Sequence, residues 1–463
     1  MNDAIAAMLK RFNQEHMLEH FELLTNDEAR ALEADLLSLD FETIAHLYRI
    51  YSGRNDKTQK KVLQEADLLS LDTCAESTKR KKMLAALGED MLREGKVAVF
   101  LVAGGQGTRL GFPGPKGCYP ISPIKKKSLF QLFAESIRAV QYRYGTPLHW
   151  FIMTSRENDQ ATRIFFKKHE FFGLNSETVH FFIQKQVPSL DLNGKLIVSP
   201  EKTVFKNPDG HGGSLYALHD SASLEHMAQR GIDEIFYFQV DNPLARIADP
   251  LFVGAHVEDR AEMSTKVVRK VEPDEKVGII GRINGKLGCI EYSELSRQQA
   301  QERKADGTLR FGSANTAIHM INRSFAETIS SNKGEQLPYH FAVKDIECLE
   351  LRDNRHVPKK IKGIKGEMFI FDALSRARRS VTLEVPRDEE FSPVKNSSGA
   401  DCPETAQRDM VRLHTRWIKN SVPDTHIPED LVVEVSPLYA LDEKNFRAKF
   451  NPPDEIPSLL YLA

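Results

Sequence analysis

One segment constrains the fold of this chain more than any other, the run VFLVAGGQGTRLGFPGPKG at residues 99–117. An apolar stretch leads into Gly104, Gly105, Gly107 and Gly111. Glycines let a backbone turn sharply and bring its N–H groups close to a ligand. The spacing fits neither the Walker loop nor the dinucleotide fingerprint, because G-x-G-x-x-x-G is one residue too long for the latter. Two cations, Arg109 and Lys116, lie within and just after the loop. This combination predicts a strand followed by a triphosphate-binding loop; a structural turn with incidental charges is the alternative.

The sequence on both sides of the loop alternates between strand-like and helix-like segments. Four β-branched and aromatic runs are predicted strands, at 97–103, 148–153, 179–184 and 235–240. Between the first two, Ser128–Tyr144 is amphipathic, with Ser128 and Gln131 placed as a capping box. Three further predicted strands, with fewer helices between them, lie at 265–271, 277–283 and 314–321. The pattern predicts an α/β fold with a mixed, mainly parallel central sheet flanked by helices.

Changes of composition divide the chain into three predicted domains. Residues 1–92 have helical spacing of apolar residues and few glycines or prolines, and we expect a helical region throughout. The octapeptide EADLLSLD occurs there twice, at 33–40 and 65–72, which predicts two similar helices. Residues 93–385 form the predicted sheet domain, and the irregular, proline-rich residues 386–463 form a predicted small C-terminal domain.

Charge and cysteine content narrow the class of partner. The chain has 63 basic and 65 acidic residues and a net charge of −2, so it has no general attraction to nucleic acid or to an anionic membrane. Five scattered cysteines without CxxC pairing favour reduced thiols over a disulfide scaffold or zinc site. The N-terminal apolar stretch is broken by charge, and no apolar run is long enough to span a bilayer. We expect a cytoplasmic monomer or homodimer.

The glycine-rich segment and its surroundings resemble a known family. The run LVAGGQGTRLG…PKG…KSLFQ is similar to the signature of eukaryotic-type UDP-sugar pyrophosphorylases, above all the UDP-N-acetylglucosamine pyrophosphorylase branch. Further family motifs follow in order: FIMTS, PDGHGG, VDNPLARIADP, VGIIGRINGKLGCIEYSELS, SANTAIH, KGEMFIFDA and RDEEFSPVKN. The resemblance covers most of residues 97–400. It implies a Rossmann-like fold of the nucleotidyltransferase type A kind, with 93–385 as the catalytic domain.

The resemblance also implies a set of nucleotide-binding residues. Those expected to contact UTP are Ala103, Gly104, Gly105, Gly107, Thr108, Gln184, Gly210, His211 and Asp241. The expected catalytic residues are Arg109 and Lys116 at the β- and γ-phosphates, and Lys395 at the sugar phosphate or α-phosphate. Asp388, Glu389 and Glu390, near Lys395, are expected to be surface charges.

Asp241 follows the predicted strand 235–240, beside the crevice expected at the carboxyl ends of an open sheet. Mg²⁺ usually takes one or two protein carboxylates together with phosphate oxygens, so Asp241 is the predicted Mg²⁺ ligand. An Asx turn formed by Asp241, Asn242 and Pro243 is the alternative.

A second set of residues matches family positions around the hexose, namely Gly278, Glu291, Tyr292, Asn315, Phe369 and Phe371. From the sequence alone, Phe369 and Phe371 alternate on one face of a half-buried strand, and core packing is the alternative. His211 departs from the N-acetylhexosamine pattern, which typically has Asn there, whereas glucose-type enzymes tend to have His. Asp209 and Gly213 fit the N-acetylhexosamine pattern better, and His211 could equally be structural.

The resemblance therefore implies transfer of a uridylyl group. N-acetylglucosamine 1-phosphate is the expected acceptor and UTP the donor, with Mg²⁺ as cofactor and pyrophosphate as leaving group. N-acetylgalactosamine 1-phosphate and glucose 1-phosphate remain alternative acceptors. A non-catalytic UDP-sugar-binding homologue is a further alternative.

Overall fold

The computed structural model describes residues 3–53, 61–71, 75–331 and 336–463. Its helices are α1 (Asp3–Arg11), α2 (His16–Phe21), α3 (Asn26–Leu37), α4 (Phe41–Ser52), α5 (Ala75–Arg93), α6 (Leu129–Tyr144), α7 (Asp159–Lys168), α8 (Gly213–Asp220), α9 (Ser223–Gln229), α10 (Pro250–Glu258), α11 (Arg297–Gln301), α12 (Arg323–Ser330), α13 (Arg387–Glu390), α14 (Pro403–Ser421) and α15 (Glu443–Lys449). Short 3-10 helices are Thr108–Leu110, Lys116–Cys118, Glu170–Gly173, Ser176–Thr178, Tyr292–Glu294 and Ile370–Ser375.

The strands are β1 (Leu63–Glu65), β2 (Val97–Val102), β3 (Trp150–Thr154), β4 (Val179–Ile183), β5 (Gln186–Pro188), β6 (Leu190–Asp191), β7 (Lys206–Pro208), β8 (Glu234–Gln239), β9 (Met263–Arg269), β10 (Ile279–Ile283), β11 (Lys286–Ile290), β12 (Ser313–Asn322), β13 (Tyr339–Arg352), β14 (Arg355–Met368), β15 (Thr382–Glu384), β16 (Val432–Val435) and β17 (Leu459–Leu462). All seven strands predicted from β-branched and aromatic runs are present, with ends shifted by a few residues. Among the described residues, no helix has the length and apolar character needed to cross a membrane.

Contacts along the chain define two compact units. The first combines Met1–Lys60, Lys185–Gly213 and Leu337–Ile370, and the second combines Lys61–Gln184, Ser214–Gln336 and Phe371–Ala463. The three-domain division at residues 92/93 and 385/386 stays a prediction.

The second unit is built on a ten-stranded mixed sheet in the order β1-β10-β12-β8-β2-β3-β4. Strand β11 pairs with β10, and β9 pairs with β12 and β15. The neighbours β8, β2, β3 and β4 are parallel, whereas β12 is antiparallel to β8 and β9. Helices alternate with the parallel strands along the chain, which confirms the predicted α/β class with a mixed, mainly parallel central sheet.

The core of this unit explains why these segments form strands and helices. Strand β2 is buried almost along its whole length, and the aromatic side chains of Trp150, Phe236 and Phe238 have no exposed surface. Burial on both faces is typical of parallel sheets, whose strands are covered by helices. Helix α6 begins where Ser128 Oγ accepts the Gln131 N–H at 3.1 Å. The Gln131 side chain donates to Glu135 at 3.0 Å, so the cap is confirmed without the reciprocal bond of a capping box.

The first unit has its own apolar core, formed by side chains of α1, α3 and α4 with Leu190, Leu196 and Val198. Strands β13 and β14 form a long hairpin, and β14 also pairs with β6. The hairpin turns at Asp353 and Asn354, both at positive φ (48° and 57°). Asp and Asn tolerate this left-handed conformation, which the favoured two-residue hairpin turns require.

The two copies of EADLLSLD adopt different structures, so the predicted pair of similar helices is wrong. Residues 33–37 belong to α3, which ends at Leu37. In the second copy Glu65 ends β1, and residues 66–71 form no helix. Leu69 forms an isolated bridge with Leu383, and its N–H donates to Thr382 O at 2.8 Å. Asp72 lies outside the described residues. Pairing with the large sheet overrides the local helix propensity of the second copy, and residues 1–92 are therefore not helical throughout.

Candidate active site

The glycine-rich loop begins directly after β2 and closes on itself through backbone hydrogen bonds. Gly107 N donates to Gly114 O at 2.8 Å, and Lys116 N donates to Gly105 O at 3.1 Å. The parallel strands β2, β3, β4 and β8 end at one edge of the sheet, so the segments after them meet there. The loop therefore lies at the edge where an open sheet forms its crevice.

The glycines of the loop serve different purposes. Positive φ occurs at Gly111 (67°) and Gly114 (139°), and not at the three glycines that follow β2. At Gly104 the reason is close approach, because a Cβ there would lie 3.3 Å from Gln184 Oε1. At Gly107 a Cβ would lie 2.8 Å from the Phe112 ring. The contact of Gly104 with Gln184 brings two predicted nucleotide-binding positions together.

Asn158, which sequence reasoning missed, fastens the start of this loop. Its buried side-chain Nδ2 donates to Ala103 O at 2.9 Å and to Gly105 O at 3.3 Å. Its Oδ1 accepts the Ser155 N–H at 2.8 Å. A buried amide can satisfy several backbone groups at once. The sequence signal is an Asn placed between a buried strand and a helix.

Three predicted catalytic cations and the predicted metal ligand form one electrostatic group. Burial lowers the pKa of Lys116, the nearby charges of Arg109 and Lys395 lower it further, and Asp241 opposes that shift. Arg109 is exposed and Lys116 is half-buried. A cluster of like charges that repel one another is poised to bind an anion.

The segment leading to Lys395 is attached to the end of β8. Val394 N donates to Asp241 O at 2.8 Å, and Lys116 Nζ donates to Val394 O at 3.3 Å. The Lys395 ammonium donates to Asp401 at 3.3 Å and keeps 41% of its side chain exposed. The backbone that precedes Lys395 is thus bonded to Lys116 of the glycine loop.

Asn242 binds the segment that leads to Lys395. Its hydrogen bonds also decide whether Asp241 or Asn242 forms the Asx turn given above as the alternative role of Asp241. Asn242 Nδ2 donates to Glu390 O at 2.7 Å, and Asn242 Oδ1 accepts the N–H groups of Ser392 and Leu244 at 3.1 and 3.3 Å. The Asx turn is therefore formed by Asn242. Among the described residues, no hydrogen bond reaches the Asp241 carboxylate.

A buried ion cluster of Lys266, Asp249 and Glu390 lies next to the segment that carries Lys395. Lys266 has no exposed surface, and its ammonium lies 2.7 Å from Asp249 and 2.5 Å from Glu390. The prediction that Glu390 is a surface charge is wrong, because only 2% of its side chain is exposed. Asp388 and Glu389 do pair with Arg416 outside this cluster. Sequence reasoning also missed Lys266, a charge in the middle of the buried strand β9. A lysine is almost never fully buried unless it is paired.

Three predicted sugar-binding residues of the second unit also lie together. Asn315 N donates to Gly278 O at 2.9 Å, and a Cβ on Gly278 would lie 4.0 Å from Glu291 Oε1. The same Cβ would lie 2.5 Å from Cys289 Sγ, so Gly278 allows a close approach. Tyr292, beside Glu291, keeps 46% of its surface exposed. A carboxylate and an amide at one place suit the recognition of hydroxyl groups.

The first unit contains the predicted residues Gly210, His211 and Phe369. Strand β14 ends at Met368 and Phe371 lies in a 3-10 helix, so the prediction that Phe369 and Phe371 share a strand face is wrong. Within this unit His211 stacks on Phe369 with ring centroids 5.2 Å apart, and its Nδ1 accepts the Ile370 N–H at 3.1 Å. Burial lowers the pKa of His211 to about 4, and the imidazole is neutral at pH 7. These contacts favour a structural role for His211. Phe371, in the second unit, is buried.

Asp209 and Gly213, which follow the N-acetylhexosamine pattern, depend on each other. A Cβ on Gly213 would overlap the Asp209 carboxylate, which is buried in the same turn. Gly210 has a φ of +83°, a conformation that favours glycine.

Comparison with known proteins assigns the family. A family model described as UTP–glucose-1-phosphate uridylyltransferase matches residues 41–460. The chain belongs to this uridylyltransferase family. It is 35% identical to UDP-N-acetylglucosamine diphosphorylase 2 of Arabidopsis thaliana, over 98% of this chain and 94% of that protein.

Solved structures of related proteins agree with the assignment. The uridine diphosphate N-acetylglucosamine pyrophosphorylase of Trypanosoma brucei is 28% identical, with a TM-score of 0.84 over 100% of this chain and 98% of that chain. A UDP-glucose phosphorylase of the same organism is 18% identical, with a TM-score of 0.61 over 91% and 87% of the two chains, a likeness that shows the fold alone.

The donor set of this uridylyltransferase family member fits magnesium. Mg²⁺ takes oxygen ligands and is bound in phosphate sites through one or two carboxylates. Asp241 supplies one such carboxylate beside the cations Arg109, Lys116 and Lys395. Because the cations outnumber this carboxylate, Mg²⁺ would bind here only together with an anionic ligand such as a phosphate.

Proposed function

We propose that this protein is a UTP:N-acetylglucosamine-1-phosphate uridylyltransferase, which forms UDP-N-acetylglucosamine and pyrophosphate. The observation that carries the proposal is the grouping of Arg109, Lys116, Lys395 and Asp241 beside the glycine loop at the carboxyl ends of parallel strands. Three cations with one carboxylate match a polyphosphate with its metal. The similarity to N-acetylglucosamine pyrophosphorylases over nearly the full chain supports the choice of sugar.

In the proposed reaction, a phosphate oxygen of the sugar 1-phosphate attacks the α-phosphorus of UTP, and the bond to pyrophosphate breaks. The nucleophile is already an anion, so no general base or covalent intermediate is needed. Catalysis then consists of positioning the two substrates and neutralising charge on the phosphates. Arg109 and Lys116 hold the β- and γ-phosphates, and Lys395 holds the sugar phosphate or the α-phosphate.

The remaining predicted contacts complete the proposal. Asp241 holds Mg²⁺, which when bound neutralises phosphate charge. Within the second unit, the backbone from Ala103 to Thr108 and Gln184 bind the nucleotide. Glu291, Asn315 and Gly278, with Tyr292 and Phe371, contact the sugar. Gly210 and Phe369, in the first unit, stay predictions from the family resemblance. We further propose a cytoplasmic location, which the four free cysteines among the described residues support.

A pyrophosphate-release assay with UTP and Mg²⁺ tests the function directly. The acceptors are N-acetylglucosamine, N-acetylgalactosamine and glucose 1-phosphates, each at the same concentration. We expect the highest kcat/KM with N-acetylglucosamine 1-phosphate. A preference for glucose 1-phosphate would overturn the proposed acceptor and leave the proposed reaction type unchanged. Uridine nucleotide binding without pyrophosphate release from UTP in the presence of any of the three acceptors would instead indicate a non-catalytic homologue.

His211 provides a sharper test of sugar choice, since glucose-type enzymes tend to have His at this position. Its hydrogen bond to Ile370 and its stacking on Phe369 do not require a sugar. We therefore expect His211→Asn to leave the order of acceptors unchanged. A reversed order would show that His211 selects the sugar.

A further inference from the structure

Three histidines converge at the amino ends of the parallel strands, away from the glycine loop. His149 immediately precedes β3, His180 is the second residue of β4, and His226 lies in α9. One ring nitrogen of each lies within 4.8 Å of those of the other two. His149 Nδ1 and His180 Nε2 are 3.0 Å apart. Strand β3 separates this group from the carboxyl edge by about 15 Å, given the usual rise per residue.

The rings are packed against one another and against one neighbour. His149 and His180 stack with centroids 5.3 Å apart and an interplanar angle of 12°. His226 meets His180 edge-on at 4.4 Å, and Phe151 stacks on His180 at 4.6 Å. If the three rings served only to pack against one another, this stacking would be explained. Such packing does not account for the buried Nε2 of His226, which has no hydrogen-bond partner among the described residues.

The imidazoles are in the state that binds metals. Burial lowers the pKa of His149 and of His180 to about 4 each, and it also lowers that of His226. All three rings are therefore neutral at pH 7, and neutral imidazole is the common metal ligand.

We propose that His149, His180 and His226 form a binding site for one transition-metal dication, with Zn²⁺ as the expected ion. Imidazole suits Zn²⁺, Cu²⁺ and Ni²⁺, whereas Mg²⁺ prefers oxygen ligands. With Zn–N bonds of about 2.0–2.1 Å, tetrahedral ligands lie about 3.3 Å apart. His149 Nδ1 and His180 Nε2, 3.0 Å apart, are already near this separation, and the His226 nitrogen has to move inward by at most about 1.5 Å from the 4.8 Å limit. A water molecule completes the fourth position. The bound ion joins α9 to strands β3 and β4.

Arg230 is the charged group that opposes metal binding. It is exposed, and its guanidinium donates to His226 Nδ1 at 3.3 Å. A metal on Nδ1 displaces this bond directly. A metal on Nε2 requires the ring proton to move to Nδ1, which ends the same bond. Since an exposed arginine can swing into solvent, the bond weakens the site without blocking it.

The test uses tag-free, full-length protein dialysed against EDTA and then freed of chelator. Calorimetric titration with ZnCl₂ should show one ion per chain, and Co²⁺ should give the visible absorption of a tetrahedral site. Zn²⁺ should raise the melting temperature of the wild-type chain. His180→Gln and His226→Gln should each weaken binding by at least about tenfold, a loss seen even for residues that only support a metal ligand.

Two further variants sharpen the test. His219→Gln, an exposed histidine on α8 outside the cluster, should bind Zn²⁺ like the wild type. Arg230→Ala should bind Zn²⁺ several-fold more tightly. Circular dichroism of each metal-free variant shows whether it is folded; if His180→Gln is not, His226→Gln decides. Absence of Zn²⁺ binding to the wild type, or binding that survives His226→Gln, would overturn the proposal.

Discussion

Strands β2, β3, β4 and β8 carry opposite kinds of chemistry at their two ends. At the carboxyl end, charged side chains face one another and their loops are fastened by buried ion pairs and backbone hydrogen bonds. At the amino end, three neutral imidazoles of His149, His180 and His226 stack on one another. Like charges that face one another repel, so their loops must be held in place, whereas stacked neutral rings need no such support. The carboxyl end should therefore be more costly to disturb, both for stability and for turnover.

The largest expected effect is on the ion cluster that supports the Lys395 segment. Lys266→Met removes the nearest cation from the buried carboxylates of Asp249 and Glu390 and leaves them only the more distant Arg246, 3.8 Å from Glu390. Breaking a buried pair in this way costs about 3–5 kcal/mol. Urea and thermal denaturation should show this loss. At the amino end, metal-free His226→Gln should cost less than about 1 kcal/mol.

A compensated variant shows whether charge is the cause. Lys266→Met combined with Asp249→Asn and Glu390→Gln removes the charges of these three side chains and leaves Arg246, which is partly exposed, as the remaining cation. It should recover much of the lost stability. An equally unstable triple variant would mean that side-chain packing, and not the uncompensated charge, is responsible.

The next effect is on turnover at the carboxyl end. Lys116→Ala should lower kcat by about 10²–10³, the usual loss when one preorganised charge contact is removed. Its melting temperature should change little, because among the described residues the Lys116 side chain makes a single long hydrogen bond, to Val394 O. Lys167→Ala, an exposed lysine on α7, is the matched control and should keep the wild-type rate. Near-normal turnover of Lys116→Ala in the pyrophosphate-release assay would exclude its proposed role.

Two glycines of the same loop are expected to be there for different reasons. Close packing requires glycine at one position, and ligand binding requires it at the other. A Cβ on Gly117 would overlap the Phe130 ring, whereas a Cβ on Gly105 would meet no atom within 4 Å. Gly117→Ala should therefore cost about 1–3 kcal/mol of stability, as overpacking does. Gly105→Ala should keep its melting temperature and raise the KM for UTP. If both variants melted like the wild type, the close packing on Phe130 would not limit this position.

Much of this site could be predicted from the sequence because its signals are local. The glycine loop follows its strand directly, and the order of strands and helices fixes which segments share the carboxyl edge. The roles of Asn158, Lys266 and Glu390 could not be predicted, because each depends on a partner far away along the chain.

The repeated octapeptide shows the same limit for the fold. One copy is helical up to Leu37, while the other is extended where Leu69 joins Thr382. The seven residues that are described in both copies are identical in sequence, so the difference in their secondary structure comes from their surroundings. The convergence of His149, His180 and His226 likewise arises from pairing between β3 and β4, and the spacing of these residues gives no sign of it.

The smallest expected effect is a pH dependence confined to the carboxyl end. Burial and the charges of Arg109 and Lys395 lower the pKa of Lys116, so its ammonium is lost at a lower pH than that of an ordinary lysine. Only the charged form attracts phosphate, and kcat/KM, which reports the free enzyme, should fall as pH rises through this pKa. Lys116→Arg should remove that alkaline fall, because guanidinium does not titrate in this range. An alkaline fall unchanged in Lys116→Arg would place the titrating group elsewhere.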